Sequence, residues 1–100
     1  MESIVSPSAV IGQGVKIGRF CIIEENVELG ENVKVEDYAM ILKGSKIGAG
    51  TKIGTYTKVG YNTVVGKNCS FTSYCEIRDN CQLGDNVSMG SRCTLSADTI

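Results

Sequence analysis

An apolar residue stands at every sixth position of this chain from Val5 to Leu95. The series Val5, Ile11, Ile17, Ile23, Leu29, Val35, Ile41, Ile47, Ile53, Val59, Val65, Phe71, Ile77, Leu83, Met89 and Leu95 has no exception. With 42% of residues hydrophobic, chance would produce such a run roughly once in a million sequences. A period of six fits no amphipathic helix, whose period is 3.6, and a hairpin sheet would need turn insertions that break the register. The residue after each anchor is glycine in nine of the sixteen units, and the residue four after it is small throughout. All five cysteines, at positions 21, 69, 75, 81 and 93, fall in that small class.

A short strand and a corner, repeated, satisfy this pattern. Three units close a triangular coil of eighteen residues, and coils stack through parallel ladder bonds at about 4.8 Å. The expected fold is therefore all-β: one parallel β-helix of about five coils, a single domain spanning residues 1–100, with large aliphatics inside and the small column filling the corners. A second periodicity supports this. Three residues past the anchor, Gly14, Asn32, Gly50, Asn68 and Asn86 line one corner, and Ser8, Asn26, Gly44, Asn62, Asn80 and Asp98 a second. These types tolerate positive φ. The third corner carries Phe20, Tyr38, Tyr56 and Tyr74, then Arg92, an aromatic ladder at eighteen-residue spacing.

Composition removes several chemistries. The chain has no histidine, which excludes within it a Ser-His-Asp or Cys-His system, a histidine-ligated metal and a histidine base. Ten basic against eleven acidic residues leave no footprint for nucleic acid. The first residues lack a secretory pattern, and no apolar run approaches the roughly 18 residues of a membrane span. The expected setting is the cytoplasm, without membrane contact and with reduced thiols, since side chains on stacked rungs point alongside rather than toward each other. No metal is expected.

The units Ile-Gly-Ala-Gly-Thr-Lys (47–52), Ile-Gly-Thr-Tyr-Thr-Lys (53–58), Val-Gly-Tyr-Asn-Thr-Val (59–64) and Leu-Gly-Asp-Asn-Val-Ser (83–88) resemble the hexapeptide-repeat acyltransferases. That resemblance implies a left-handed coil and a homotrimer with sites between subunits. It also implies acetyl-CoA or an acyl carrier protein as donor co-substrate, with no tightly bound cofactor, and a sugar or nucleotide-sugar as acceptor. Many members use a histidine base, for which this chain has no counterpart. Either the base lies beyond Ile100, or the reaction needs no side-chain base, or the module is non-catalytic and serves trimerisation. No catalytic residue is assigned.

Two sets of side chains are candidates for binding. Lys16, Lys34 and Lys52 stack as like charges on one face, and would suit the phosphates of coenzyme A. Tyr74, Arg78 and Asp79 would contact the acceptor. The other charged neighbours, Arg19 under Asp37, Glu25 under Lys43, Glu28 under Lys46 and Lys58 under Glu76, are expected to pair across rungs. Ile4, Ile22 and Met40 form an outward apolar column with Leu42 on the same face, so a homotrimer is expected to pack through Ile22, Met40 and Leu42 and the aromatic corner beside them. The repeat is still in register at Thr99, so the coil is expected to continue past Ile100 or to be covered by another copy.

Overall fold

Residues 2–96 are described by a computed structural model; Asp98, Thr99 and Ile100, on which the expectations for the last corner and the C-terminal edge fall, lie outside the described residues. Each of the first four coils consists of three two-residue strands. The first is β1 (Ile4–Val5), β2 (Val10–Ile11) and β3 (Lys16–Ile17), and the second β4 (Ile22–Ile23), β5 (Glu28–Leu29) and β6 (Lys34–Val35). Next come β7 (Met40–Ile41), β8 (Lys46–Ile47) and β9 (Lys52–Ile53), then β10 (Lys58–Val59), β11 (Val64–Val65) and β12 (Ser70–Phe71). The fifth coil holds β13 (Glu76–Ile77) and β14 (Ser88–Met89), and β15 (Thr94–Leu95) pairs with β13 at the start of a sixth. Every pairing is parallel and offset by eighteen residues, giving sheets β1-β4-β7-β10-β13-β15, β2-β5-β8-β11 and β3-β6-β9-β12-β14. A bridge from Val64 to Gln82 carries the second sheet one rung further. The result is a prism of 33 × 21 × 20 Å with no helix among the described residues, and so none able to cross a membrane.

The anchors from Ile23 to Leu83 are at most 5% exposed and form one continuous core. Adjacent coils are tied by N–H donors of one coil to carbonyls of the next, as from Ile4 to Cys21 and from Ser6 to Ile23, both at 2.9 Å. At the corners the fourteen residues three past the anchor, from Gly14 to Arg92, all take positive φ, between 51° and 78°. Ser8 does not. The aromatic corner thus shares the left-handed conformation that Asn and Gly adopt cheaply, at roughly 1 to 2 kcal/mol for each bulky residue. Its rings compensate: Phe20–Tyr38, Tyr38–Tyr56 and Tyr56–Tyr74 stack at 5.0, 4.6 and 5.1 Å, and the Arg92 guanidinium lies 5.0 Å over Tyr74. Each such contact contributes about 1 kcal/mol, so strain and stacking are of one size.

The small column does more than fit a tight space. Ser45, Thr51, Thr57 and Thr63 are fully buried, and each hydroxyl inserts into the turn one coil above. Thr63 Oγ1 donates to the Arg78 carbonyl at 2.8 Å and accepts from Cys81 N–H at 3.4 Å. Ser45 Oγ does the same between Gly60 and Thr63, and Thr51 Oγ1 between Gly66 and Cys69. At several corners with no hydroxyl below, the two turn groups bond directly, as Ala39 N–H does to Glu36 C=O at 3.3 Å. Cysteine uses half of this arrangement: the thiols of Cys21 and Cys75 donate to the carbonyls of Glu36 and Gly90, both at 3.0 Å. All five cysteines are free, and Cys93 alone is only half-buried. We therefore expect Thr63→Val to cost only about 1 to 2 kcal/mol, because Cys81 N–H falls back on the Arg78 carbonyl. A fall in the urea midpoint at constant m value would measure it.

Two of the four expected charge pairs form, Glu25–Lys43 at 3.8 Å and Glu28–Lys46 at 4.0 Å. Arg19 and Asp37 instead meet through the backbone: Asp37 Oδ1 accepts from Arg19 N–H at 2.8 Å, in the space left by Gly18. Asp79 and Asp85 hold the N–H groups of Tyr61 and Lys67 in the same way, over Gly60 and Gly66. Lys58 and Glu76 are rung neighbours, but Glu76 Oε2 faces Arg78 Nε at 3.9 Å.

Candidate functional site

Parallel pairing in eighteen-residue register puts Lys16, Lys34 and Lys52 on successive rungs of one sheet. The repulsion among them is relieved from within. Glu36, directly after strand β6, places its Oε2 3.9 Å from Lys34 Nζ and 3.7 Å from Lys52 Nζ. Lys16 has no ion-pair partner among the described residues. Beside it lies an open groove of about 310 Å³ lined by Lys16, Gly18, Lys34, Glu36, Asp37 and Thr55. The basic surface therefore narrows to Lys16 and the unshared part of Lys34.

Tyr74, Arg78 and Asp79 do not converge. Tyr74 turns the corner before β13, while Arg78 and Asp79 turn the corner after it. Each also has a partner inside the chain: Tyr74 the ring of Tyr56, Arg78 the carboxylate of Glu76, and Asp79 the N–H of Tyr61. Asp79 Oδ1 is thus held by a backbone N–H of the coil below. Among titratable groups, burial pushes the Cys81 thiol above its ordinary range, the nearby Asp79 charge adds to this, and a hydrogen bond with the Arg78 backbone opposes it. Such a thiol stays protonated and inert at neutral pH. Among the described residues no three His, Cys, Asp or Glu side chains gather as a metal site.

The most continuous surface feature is apolar. Ile4, Ile22 and Met40 share one column; Ile4 is 64% exposed and the other two are half-buried. Leu42 departs from expectation, being only 4% exposed. Strand alternation points it outward, but it occupies the position after the anchor, where consecutive coils approach most closely. Beside the column runs the edge of the aromatic ladder, its rings 39% to 49% exposed. On the other side an open groove of about 540 Å³ is lined by Ile4, Pro7, Ile22, Glu24, Lys43 and Tyr61, among others. Pro7 and Tyr61 were legible as groove partners only from the eighteen-residue spacing that puts residues 7, 25, 43, 61 and 79 on one corner.

A triangular parallel solenoid of uninterrupted six-residue units, with its core in three aliphatic columns, is a hexapeptide-repeat left-handed β-helix. Within that class the chain belongs to the family described as the GMPPB C-terminal domain, whose family model matches residues 1–100. No curated protein matches it significantly in sequence. Among solved structures it is similar to serine acetyltransferase isoform 3 from Entamoeba histolytica, with a TM-score of 0.79 and 20% identity over 89% of this chain and 35% of that one. It is similar too to the acetyltransferase domain of PglB from Neisseria gonorrhoeae, with a TM-score of 0.67 and 10% identity over 86% of this chain and 53% of that one. A third likeness is to the Arabidopsis UDP-N-acetylglucosamine acyltransferase, with a TM-score of 0.57 and 24% identity over 92% and 46%. The chain thus spans about a third to a half of these acyltransferases, and at such identities the likeness is one of fold.

Proposed function

We propose that this β-helix is a cytoplasmic assembly module that trimerises through the face of Ile4, Ile22 and Met40 and the aromatic edge beside it. The supporting observation is that apolar face: a column of three aliphatic side chains next to a strained ladder of four exposed rings, a contiguous patch of the kind that marks an interface. The candidate binding residues support the same reading, because Glu36 occupies Lys34 and Lys52, and a backbone N–H of the coil below holds Asp79. Light scattering is expected to give a three-chain mass for the protein and a single-chain mass for Met40→Lys. An unchanged mass in the variant would move the interface elsewhere. Leu42 is no probe of this contact, since substituting it would disturb the fold itself.

A second reading is favoured by the fold, which the chain shares with acetyl- and acyltransferases. In it the chain is the β-helix portion of an acyltransferase that moves an acyl group from acetyl-CoA or an acyl carrier to a sugar or nucleotide-sugar. Lys16, Lys34 and Lys52 would then face the donor phosphates, and Tyr74, Arg78 and Asp79 the acceptor. The same samples discriminate: heat on titration with acetyl-CoA, lost in Lys16→Ala, supports transfer, and no heat at millimolar donor leaves the assembly module.

A further inference from the structure

We propose that the face of the second sheet, β2-β5-β8-β11, binds a second copy of this chain turned end for end. Parallel register stacks Val10, Glu28, Lys46 and Val64 as its outward column. Read upward, the column is apolar, negative, positive, apolar. A two-fold axis lying along the strands, between the second and third rungs, reverses that order in the partner. Val10 then meets Val64 and Glu28 meets Lys46, each twice over, as a contact between identical surfaces requires. Glu28 and Lys46 already pair within the chain at 4.0 Å, with both side chains more than half exposed. The partner closes them into an alternating ring of four charges.

The columns at either side obey the same axis. On one corner Glu25 and Lys43, 3.8 Å apart and exposed, exchange partners as Glu28 and Lys46 do, and Pro7 meets Tyr61, which is 44% exposed. On the other corner Glu31 comes opposite Ala49 and Lys67 opposite Gln13, so no like charges face one another. Between that corner and the central column Gly30, Gly48 and Gly66 floor an open groove of about 400 Å³, and no side chain there holds two flat faces apart. A parallel partner would instead set Glu28 against Glu28 and Lys46 against Lys46, which is destabilising. The column of Lys16, Lys34 and Lys52 has no such symmetry. Four rungs at about 4.8 Å on a face about 20 Å wide cover roughly 300 to 400 Å² per copy, about half of a standard interface. The contact is therefore weak and sensitive to salt.

This face lies across the prism from the aromatic corner that joins β3 to β4, so the contact goes beyond the assembly reading, and each can fail alone. Sedimentation of Met40→Lys, a single chain at low concentration by that reading, is expected to rise toward a two-chain mass as concentration increases, and less so in about 0.5 M salt. In the same background Glu28→Lys and Lys46→Glu should each stay at the starting mass, because the two-fold then brings like charges together. An equimolar mixture of those two variants, and a chain carrying both exchanges, should associate again. The exchanged side chains are exposed, so circular dichroism is expected to stay that of the fold throughout. A mass that never rises, a rise that survives either single exchange, or a mixture that stays apart overturns the contact. A starting mass of three chains overturns only the Met40 interface, since the rise with concentration is read from whatever mass it begins at.

Discussion

Ile53→Asp leaves the chain unfolded at neutral pH. Ile53 is fully buried on the rung between Val35 and Phe71, aliphatic below and aromatic above, and the buried hydroxyls of Thr51 and Thr57 already donate to carbonyls of the coil above. Losing the side chain's packing costs about 2 to 5 kcal/mol, and an unpaired buried carboxylate adds several more. Together these consume the roughly 5 to 15 kcal/mol that a domain of this size has. Any folded fraction must hold the carboxyl protonated, with a pKa above its unfolded value near 3.9. The native form then binds the proton more tightly, so the penalty is smallest below that value and grows as pH rises above it. Circular dichroism should show a disordered chain at pH 7 and partial recovery in acid. A native spectrum at pH 7 would contradict continuous burial along the column.

Gly54→Ala is the second large effect, and the same column supplies its control. A Cβ at Gly54 would overlap the Thr72 carbonyl oxygen and crowd that of Phe71, both backbone atoms fixed in the coil above. Nothing there can rotate aside, so about 3 kcal/mol or more of stability should be lost. At Gly90, two coils further on, an added Cβ meets nothing within 4 Å among the described residues, so in the 100-residue chain Gly90→Ala should lie within about 0.5 kcal/mol of the parent. Urea midpoints of the two variants measure the contrast. Equal losses would mean that glycine serves backbone conformation at these positions rather than room between coils.

The period of six and the period of eighteen made the coil, its three columns and its corners readable before any coordinates, because every inward residue repeats the same local task. A side chain that must fill a fixed volume at a fixed spacing leaves a mark on composition, as the unbroken series from Val5 to Leu95 does. The aromatic ladder and the apolar column of Ile4, Ile22 and Met40 were legible for the same reason. The positive φ of Phe20, Tyr38, Tyr56 and Tyr74 was not, since aromatic residues give no sign of a left-handed backbone; only the stack one coil away makes that conformation tolerable.

What the sequence alone determined is which residues share a column, and hence the fold. Partner choice was settled only in three dimensions. Glu36 lies on the lysine face and joins Lys34 to Lys52, Asp79 reaches a backbone N–H of the coil below, Leu42 is covered, and the Thr63 hydroxyl enters a turn fifteen residues further along. The physical reason is one of scale. Columns follow from a repeat that sums over sixteen units, whereas a hydrogen bond or an ion pair depends on a few tenths of an ångström between two particular coils, and no periodicity records that distance.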